Sequence, residues 1–382
     1  MKPTPVVSLN PTPVVLANIA AEEGAAGSGE VLREPRVRTL ARLFQALFSE
    51  PPAFEWLALA PGSAAAWLNT SEAALEAEAQ GCRLQGAAPE VVARVHDKAF
   101  CHRVAQRESL LPRILRDAFH VFEPGHLTDA EATLARIEEV AAGWPPFIGG
   151  RFTLKPRLGT SARGRVAGRV GEDYAAAVRG ALPRLAQCGG AVLEPWLERC
   201  GDYSSQLHVG EPEGTITLLG TLEQVTAASG VVAGHRGTVD SRGRVTSGSP
   251  WDEEVREVAL SVALAARDEG FSGPCGVDAF AFDTPEGSRL RGALELNARF
   301  TLGTVVLAAV RKALPTLKTR LGLGPGERMH FYFGLDAPAS GWPEPDAATR
   351  CLFSHQESGD PLHPALWVER DPEVLSRALD AS

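Results

Sequence analysis

Apolar and polar positions along this chain switch between two periods, and each switch marks an element. The run Val14-Val15-Leu16-Ala17-Asn18-Ile19-Ala20, with Pro13 ahead of it and glycines at 24, 27 and 29 behind, predicts a short buried strand of an α/β layer. Val37, Leu40, Leu43, Phe44, Leu47 and Phe48 recur at helical spacing and predict a helix over 36–48. Phe54 to Leu59, closed by Pro61-Gly62, predicts a second strand. Residues 97–120 predict a helix opened by Asp97. Thr128 to Ala142 predicts another, with Thr128 as cap, Glu131 three residues on, and Pro145-Pro146 as the stop.

Short strands with interposed helices follow at Phe152–Lys155, Val166–Val170, Ala191–Glu194, Ser204–Val209 and Thr215–Leu219, which is the pattern of an antiparallel sheet. Residues 252–268 predict an amphipathic helix. Gly276–Phe282 and Arg291–Leu296 predict two strands joined by Asp283-Thr284-Pro285-Glu286-Gly287, and 303–321 a helix. The tail after 325 is rich in proline, with short strand candidates at His330–Phe333 and Ala365–Val368. There is no internal repeat. The class is α/β, with a small α/β domain over 1–95.

Composition narrows the function classes. A chain of 382 residues holds two or three domains or one elaborate α/β unit. Hydrophobic residues at 44% and charged residues at 22% exclude a largely disordered chain. A net charge of −9 with scattered arginines argues against nucleic acid as a partner, because phosphate contacts need a basic surface. The six cysteines, Cys82, Cys101, Cys188, Cys200, Cys275 and Cys351, form no CxxC and no zinc spacing, and read as reduced thiols. Met1 to Asn18 lacks the form of a secretory signal, and no apolar run reaches membrane-spanning length. A soluble cytoplasmic protein is expected. Of the 38 basic residues only five are lysines: Lys2, Lys98, Lys155, Lys312 and Lys318. Against an arginine-rich background, a position that keeps lysine is a candidate for needing an ammonium.

Three local constellations could carry chemistry. Asp278 opens one strand of the expected hairpin, and Glu295, Asn297 and Arg299 lie on one face of the other. Two carboxylates and an amide oxygen suit Mg²⁺, which keeps few protein ligands and completes its shell with water and phosphate; a solvated sheet edge with a salt bridge is the plain alternative. Lys155 ends a strand before a glycine-rich turn with Gly159, Ser161, Gly164 and Gly168, able to cradle an anion; the pattern is not a Walker loop, and an exposed hairpin is the alternative. Leu193-Glu194-Pro195-Trp196-Leu197, with Asp202 beyond, could form an apolar slot with polar ends, or a simple amphipathic strand end. The spacing of Gly24, Gly27 and Gly29 is not that of a dinucleotide fingerprint.

In order and spacing, Lys98, Lys155 with its glycine-rich turn, Glu194 to Leu197, Asp202, Asp278 and Glu295-x-Asn297 resemble the ATP-grasp superfamily over about 90–315. The resemblance implies ATP and Mg²⁺ (or Mn²⁺) as cofactors. It implies four divisions: a pre-ATP-grasp domain over 1–95, a small subdomain with its lid over 96–200, a large subdomain with the metal site over 201–322, and a C-terminal extension over 323–382. Lys98, Lys155, Ser161 and Gly164 would then meet phosphates. Glu194, Trp196 and Leu197 would meet adenine, and Asp202 ribose. Asp278, Glu295 and Asn297 would ligate the metal, and Arg299 would face phosphate or an activated acyl group. Two departures stand against a D-alanine–D-alanine ligase: the ribose acid is aspartate after a longer turn, and Gly276 stands where those ligases carry arginine.

The expected activity is the ATP-dependent joining of a carboxylate, an amino acid or small peptide, to an amine through an acyl phosphate. A small-molecule kinase and a non-catalytic nucleotide-binding protein are the other readings. Catalytic assignments fall on Lys155, Arg299 and Arg236, the last able to bind a carboxylate, with His235 beside it as a group for the amine. An exposed turn is the alternative for that pair. Gln206 and Gln224 are lesser candidates, and His208 reads as a packed histidine. The tail, with Trp342, His355, His363 and Trp367, could cover the acceptor site or form a homodimer contact.

Overall fold

The computed structural model describes residues 11–21, 34–159, 164–211, 214–226, 232–336 and 362–380. The elements of the first third are β1 (Val14–Leu16), α1 (Pro35–Leu47), β2 (Ser63–Ala66), α2 (Ser71–Ala79), β3 (Arg83–Leu84), α3 (Pro89–His96) and α4 (Lys98–Arg107). Then come β4 (His120–Phe122), α5 (Ala130–Ala142), β5 (Arg151–Pro156), β6 (Val166–Arg169), α6 (Ala175–Gln187) and β7 (Ala191–Pro195). The rest comprises β8 (Arg199–Val209), β9 (Ile216–Thr226), β10 (Val232–Asp240), β11 (Val245–Thr246), α7 (Asp252–Asp268), β12 (Gly273–Thr284) and β13 (Gly287–Asn297). Last come α8 (Leu302–Leu321), β14 (Arg328–Gly334), β15 (Ala365–Glu369) and α9 (Pro372–Asp380).

These elements build three sheets. A parallel sheet of order β1-β2-β3 buries Leu16, Ala64 and Ala66 against Ala73 and Ala77 of α2. A four-stranded sheet has the order β4-β7-β5-β6. An eight-stranded sheet runs β13-β12-β8-β9-β11-β10-β14-β15, so the tail strands β14 and β15 extend it beyond β10. Side-chain alternation gives the large sheet two unlike faces. Tyr203, Ala279, Ala281 and Leu290 pack with Val255 of α7 on one, whereas Asp202, Ser204 and Gln206 point to the other.

Several sequence expectations need correction. Phe54 to Leu59 is not a strand: Glu55–Leu57 makes one 3₁₀ turn, with the rings of Phe54 and Trp56 stacked 5.7 Å apart. The second strand is the alanine run Ser63–Ala66, paired in parallel with Val14–Leu16. The helix expected over 97–120 ends at Arg107, and Pro112 opens a 3₁₀ turn before strand β4. The cap of α5 is Asp129, which accepts from Ala132 N at 3.0 Å, one residue beyond Thr128. Asp97 caps α4 as expected, accepting from Ala99 N at 2.8 Å. The segment Gly234–Gly237 is strand rather than turn.

Close backbone approach explains Gly276. A Cβ there would stand 3.0 Å from Thr301 and 3.2 Å from the Gln206 amide, so no arginine fits. The described cysteines are free thiols; Cys351, Ser161, Trp342, His355 and the glycines at 24, 27 and 29 lie outside the described residues.

Candidate active site

The hairpin of β12 and β13 sets the centre of the site. Its register places Asp278 opposite Glu295. Asp278 Oδ1 accepts from Ser204 Oγ at 2.7 Å and from Gln224 Nε2 at 3.1 Å. Its Oδ2 accepts from Asn297 Nδ2 at 3.0 Å, and Asn297 Oδ1 accepts in turn from Arg299 Nη2 at 3.2 Å. Beneath them Gln206, fully buried, donates to Ser204 Oγ at 2.8 Å and accepts from Thr301 and Thr304 at the start of α8. Burial and the facing Glu295 push the Asp278 carboxyl up to about 7. A divalent cation between the two carboxylates would favour their charged forms against both burial and repulsion, and the hard oxygen donors suit Mg²⁺. Among the described residues no cluster of three or more His, Cys, Asp or Glu side chains could hold a metal. The protein's share of such a shell is therefore small, two carboxylates and an amide.

Lysines reach this centre from two other elements. Lys98, the first residue of α4, lies 3.3 Å from Glu295 and donates to Gly159 O at 2.6 Å. Its backbone N–H donates to Arg157 O at 3.1 Å, and the Arg157 guanidinium pairs with the carboxylate of the preceding Asp97. Lys155, on β5, pairs with Glu194 of β7, and the other oxygen of Glu194 is taken by Arg291 of β13. Burial opposes the charge on Glu194, but Arg291 and Lys155 outweigh it and hold its carboxyl far below the usual range. Burial lowers Lys155, an effect that Glu194 partly offsets. The Arg291 guanidinium sits 4.3 Å from the centroid of the Phe119 ring and 5.6 Å from that of Phe280.

A cleft of about 310 Å³ joins these groups. Lys98, Lys155, Gly159, Asp202, Asp278, Glu295, Asn297 and Arg299 line it, as do Ser204, Gln224 and His235. Ten residues singled out in the sequence, Gln224 and His235 among them, thus meet in one space, although they span some two hundred positions. Asp202 accepts from Arg199 Nη1 at 2.6 Å. Burial brings the Arg299 guanidinium down to about 9.

Other sequence assignments land elsewhere. Glu194 is 3% exposed with both oxygens taken by cations, so its carboxylate is turned to Lys155 and Arg291 rather than toward a base. Leu197 is buried, and Trp196 carries Arg165 5.1 Å from its ring centroid. Neither borders the cleft, nor does Gly164, which is left-handed at φ 74° beside Arg184. Arg236 does not enter the cleft: on β10 it alternates with His235, and it pairs with Glu223 at 2.6 Å on the face toward His330 and Leu375. His235 is 3% exposed at the cleft wall, and burial with Arg36 nearby pushes it down to about 3, a neutral imidazole. Trp367 is buried and stacks on Tyr332 at 5.7 Å, within the sheet rather than over the cleft. Sequence reasoning missed Ser204, Arg199 and Arg291. The strand alternation that found Glu295 would have placed Ser204 beside Asp278, but Arg291 carries no local signal.

No family model matches this sequence, and no curated protein matches it either. Solved structures do. The fold is the ATP-grasp fold, mixed α/β. The chain is similar to a biotin carboxylase complex from Campylobacter jejuni, with TM-score 0.57 and 12% identity over 96% of this chain and 90% of that one. It is also similar to N5-carboxyaminoimidazole synthetase from Staphylococcus aureus complexed with ADP, with TM-score 0.53 and 12% identity over 97% and 96% of the two chains. The N5-carboxyaminoimidazole ribonucleotide synthetase of Thermus thermophilus gives TM-score 0.52 and 15% identity over 97% and 96%. No helix among the described residues is long and apolar enough to cross a membrane.

Proposed function

We propose that this chain is an ATP-dependent ligase that joins a carboxylate, an amino acid or small peptide, to an amine and releases ADP and phosphate. The observation that carries the reading is the meeting of Lys98 and Lys155 with Asp278, Glu295 and Asn297 around one cleft. The solved structures of the same fold include complexes with ADP and with MgADP, which supports a nucleotide in this cleft.

Lys98 and Lys155 hold the phosphates as compact ammonium donors, with the segment after Gly159 as the lid above them. Asp202 meets the ribose. Arg291 and Glu194 keep Lys155 aimed. Asp278, Glu295 and Asn297 would hold Mg²⁺ (or Mn²⁺), which neutralises charge on the transferring phosphoryl group when bound. The substrate carboxylate oxygen attacks the γ-phosphorus, the bond to the ADP oxygen breaks, and an acyl phosphate forms. Arg299 steadies its charge. The amine then attacks the acyl carbon, the carbon–oxygen bond to phosphate breaks, and the amine's proton leaves with the product phosphate or water. Neutral His235 can accept a hydrogen bond from the amine. No side-chain nucleophile is required.

The four divisions of the chain at 95, 200 and 322 follow from the same reading. So does a cytoplasmic setting with small-molecule partners, neither nucleic acid nor membrane, and a homodimer as the assembly. The test is product analysis with pairs of small acids and amines. ADP and phosphate in equal amounts, formed only when both partners are present, support the ligase. ADP with the phosphoryl group retained on an acceptor makes the protein a kinase, and AMP with pyrophosphate rules out both.

A further inference from the structure

Behind the wall formed by Trp67 and Arg299 lies a second cavity, of about 420 Å³, within the size range of small-molecule pockets. It exists because of the composition of β2. Strands of a parallel sheet usually carry large aliphatic side chains on both faces, but this one reads Ser63-Ala64-Ala65-Ala66. Ala64 and Ala66 meet α2. Ser63, Ala65 and Ala66 border the cavity with side chains smaller than the valine or leucine usual in such a strand.

The remaining walls combine rings with Arg83 and Glu211, and Arg299 adds a second cation to the lining. Trp67 borders the nucleotide cleft as well, Phe300 lines this cavity alone, and Phe48 stands at the end of α1. The Trp56 indole is clamped between Phe54 and His208, whose ring centroids lie 5.7 Å and 4.4 Å away, so this wall is rigid. Burial brings His208 down to about 4, which leaves its imidazole neutral and adds no charge to that wall. Arg83 of β3 and Glu211 after β8 both border the cavity, and neither forms an ion pair among the described residues. Both are exposed where they border the cavity, within reach of a ligand that brings a carboxylate and an ammonium of its own.

The geometry points to a second ligand site, for a small molecule with a flat apolar ring, a carboxylate and an ammonium, which is the chemistry of an aromatic amino acid. The ring packs against Trp67 and Phe300, the carboxylate meets Arg83, and the ammonium meets Glu211. Arg299 and Trp67 border both cavities, so the occupant touches the reverse side of a residue that faces the phosphates. The site needs no nucleotide, and its assignment stands apart from the ligase reading.

The experiment is calorimetric titration of the full chain, without nucleotide, with L-phenylalanine, phenylacetate and phenethylamine. L-phenylalanine is expected to bind, and each analogue with a single charge roughly tenfold more weakly. Ala65→Leu fills the cavity and is expected to abolish this binding while leaving the MgATP affinity unchanged. Arg83→Met, an exposed change that spares the fold, is expected to weaken L-phenylalanine and phenylacetate but not phenethylamine; Glu211→Gln is expected to do the reverse. No heat from L-phenylalanine at about 10 mM, a concentration that detects even millimolar affinity, overturns the assignment, as does binding that persists in a folded Ala65→Leu.

Discussion

Lys155 reaches the cleft on the arm of Glu194, and Arg291 grips the opposite oxygen of that same carboxylate. Lys155 is thus aimed, through Glu194, by a buried arginine 97 positions beyond that glutamate. Removing one partner of a buried ion pair leaves an uncompensated charge and costs about 3–5 kcal/mol. Arg291→Met is therefore expected to lower the unfolding midpoint sharply and to weaken ATP binding, both measurable on the purified protein. The sign with pH follows from the depressed Glu194 carboxyl. Its contribution is complete above the ordinary carboxyl value of 4.5 and is lost as pH falls toward the folded value. The stability gap between the native protein and Glu194→Gln should be full at neutral pH and should shrink in acid.

The rarity of lysine in this chain makes a second test. Lys155 is 15% exposed and enclosed by Glu194, where a longer planar guanidinium misplaces its charge. Lys155→Arg should reduce kcat/KM by roughly 100-fold or more while keeping the net charge. Lys318→Arg, near the end of α8 and outside the cleft, should stay within roughly twofold of the native enzyme.

Asp278 and Glu295 form a carboxylate pair whose cost depends on pH. Because the folded Asp278 value lies near 7, above its ordinary 3.8, the group's contribution is most favourable below 3.8. It is lost as pH rises toward 7. Asp278→Asn, measured with EDTA present, should match the native protein in stability near pH 4 and exceed it by roughly 1–3 kcal/mol at pH 8. Added Mg²⁺ should stabilise the native protein and leave Asp278→Asn almost unmoved. Equal curves across this pH range would show that burial and the facing Glu295 do not raise the Asp278 carboxyl.

Arg236 offers a test in which sequence and structure disagree. Its pairing with Glu223, on the far side of β10 from His235, predicts that Arg236→Ala leaves the Michaelis constants of both organic substrates unchanged. A raised constant for the acid would return Arg236 to the cleft.

The hairpin chemistry was legible because it is local. Strand period, turn residues and seventeen positions of spacing suffice to set Asp278 beside Glu295. The order of the two lysines added long-range meaning that no single motif holds. What escaped had non-local causes. Phe54 to Leu59 has the composition of a strand, but its rings are used to stack on His208 and one another. Ser63–Ala66 has no β-branched residue and is a strand because β1 and β3 flank it. Gly234 suggested a turn, yet it is glycine because a Cβ would come within 2.2 Å of Phe333 O on the neighbouring strand. Arg291, one arginine of 33, acquires its role only when β13 folds against β7.

The central claim is that this cleft makes an acyl phosphate. Once an acid and amine pair that releases ADP is in hand, the direct measurement is the fate of ¹⁸O in the acid's carboxylate. The account predicts one labelled oxygen in each released phosphate, because the carboxylate oxygen that attacks the γ-phosphorus departs with it. Label that stays wholly in the organic product, or that appears in AMP, would contradict the account.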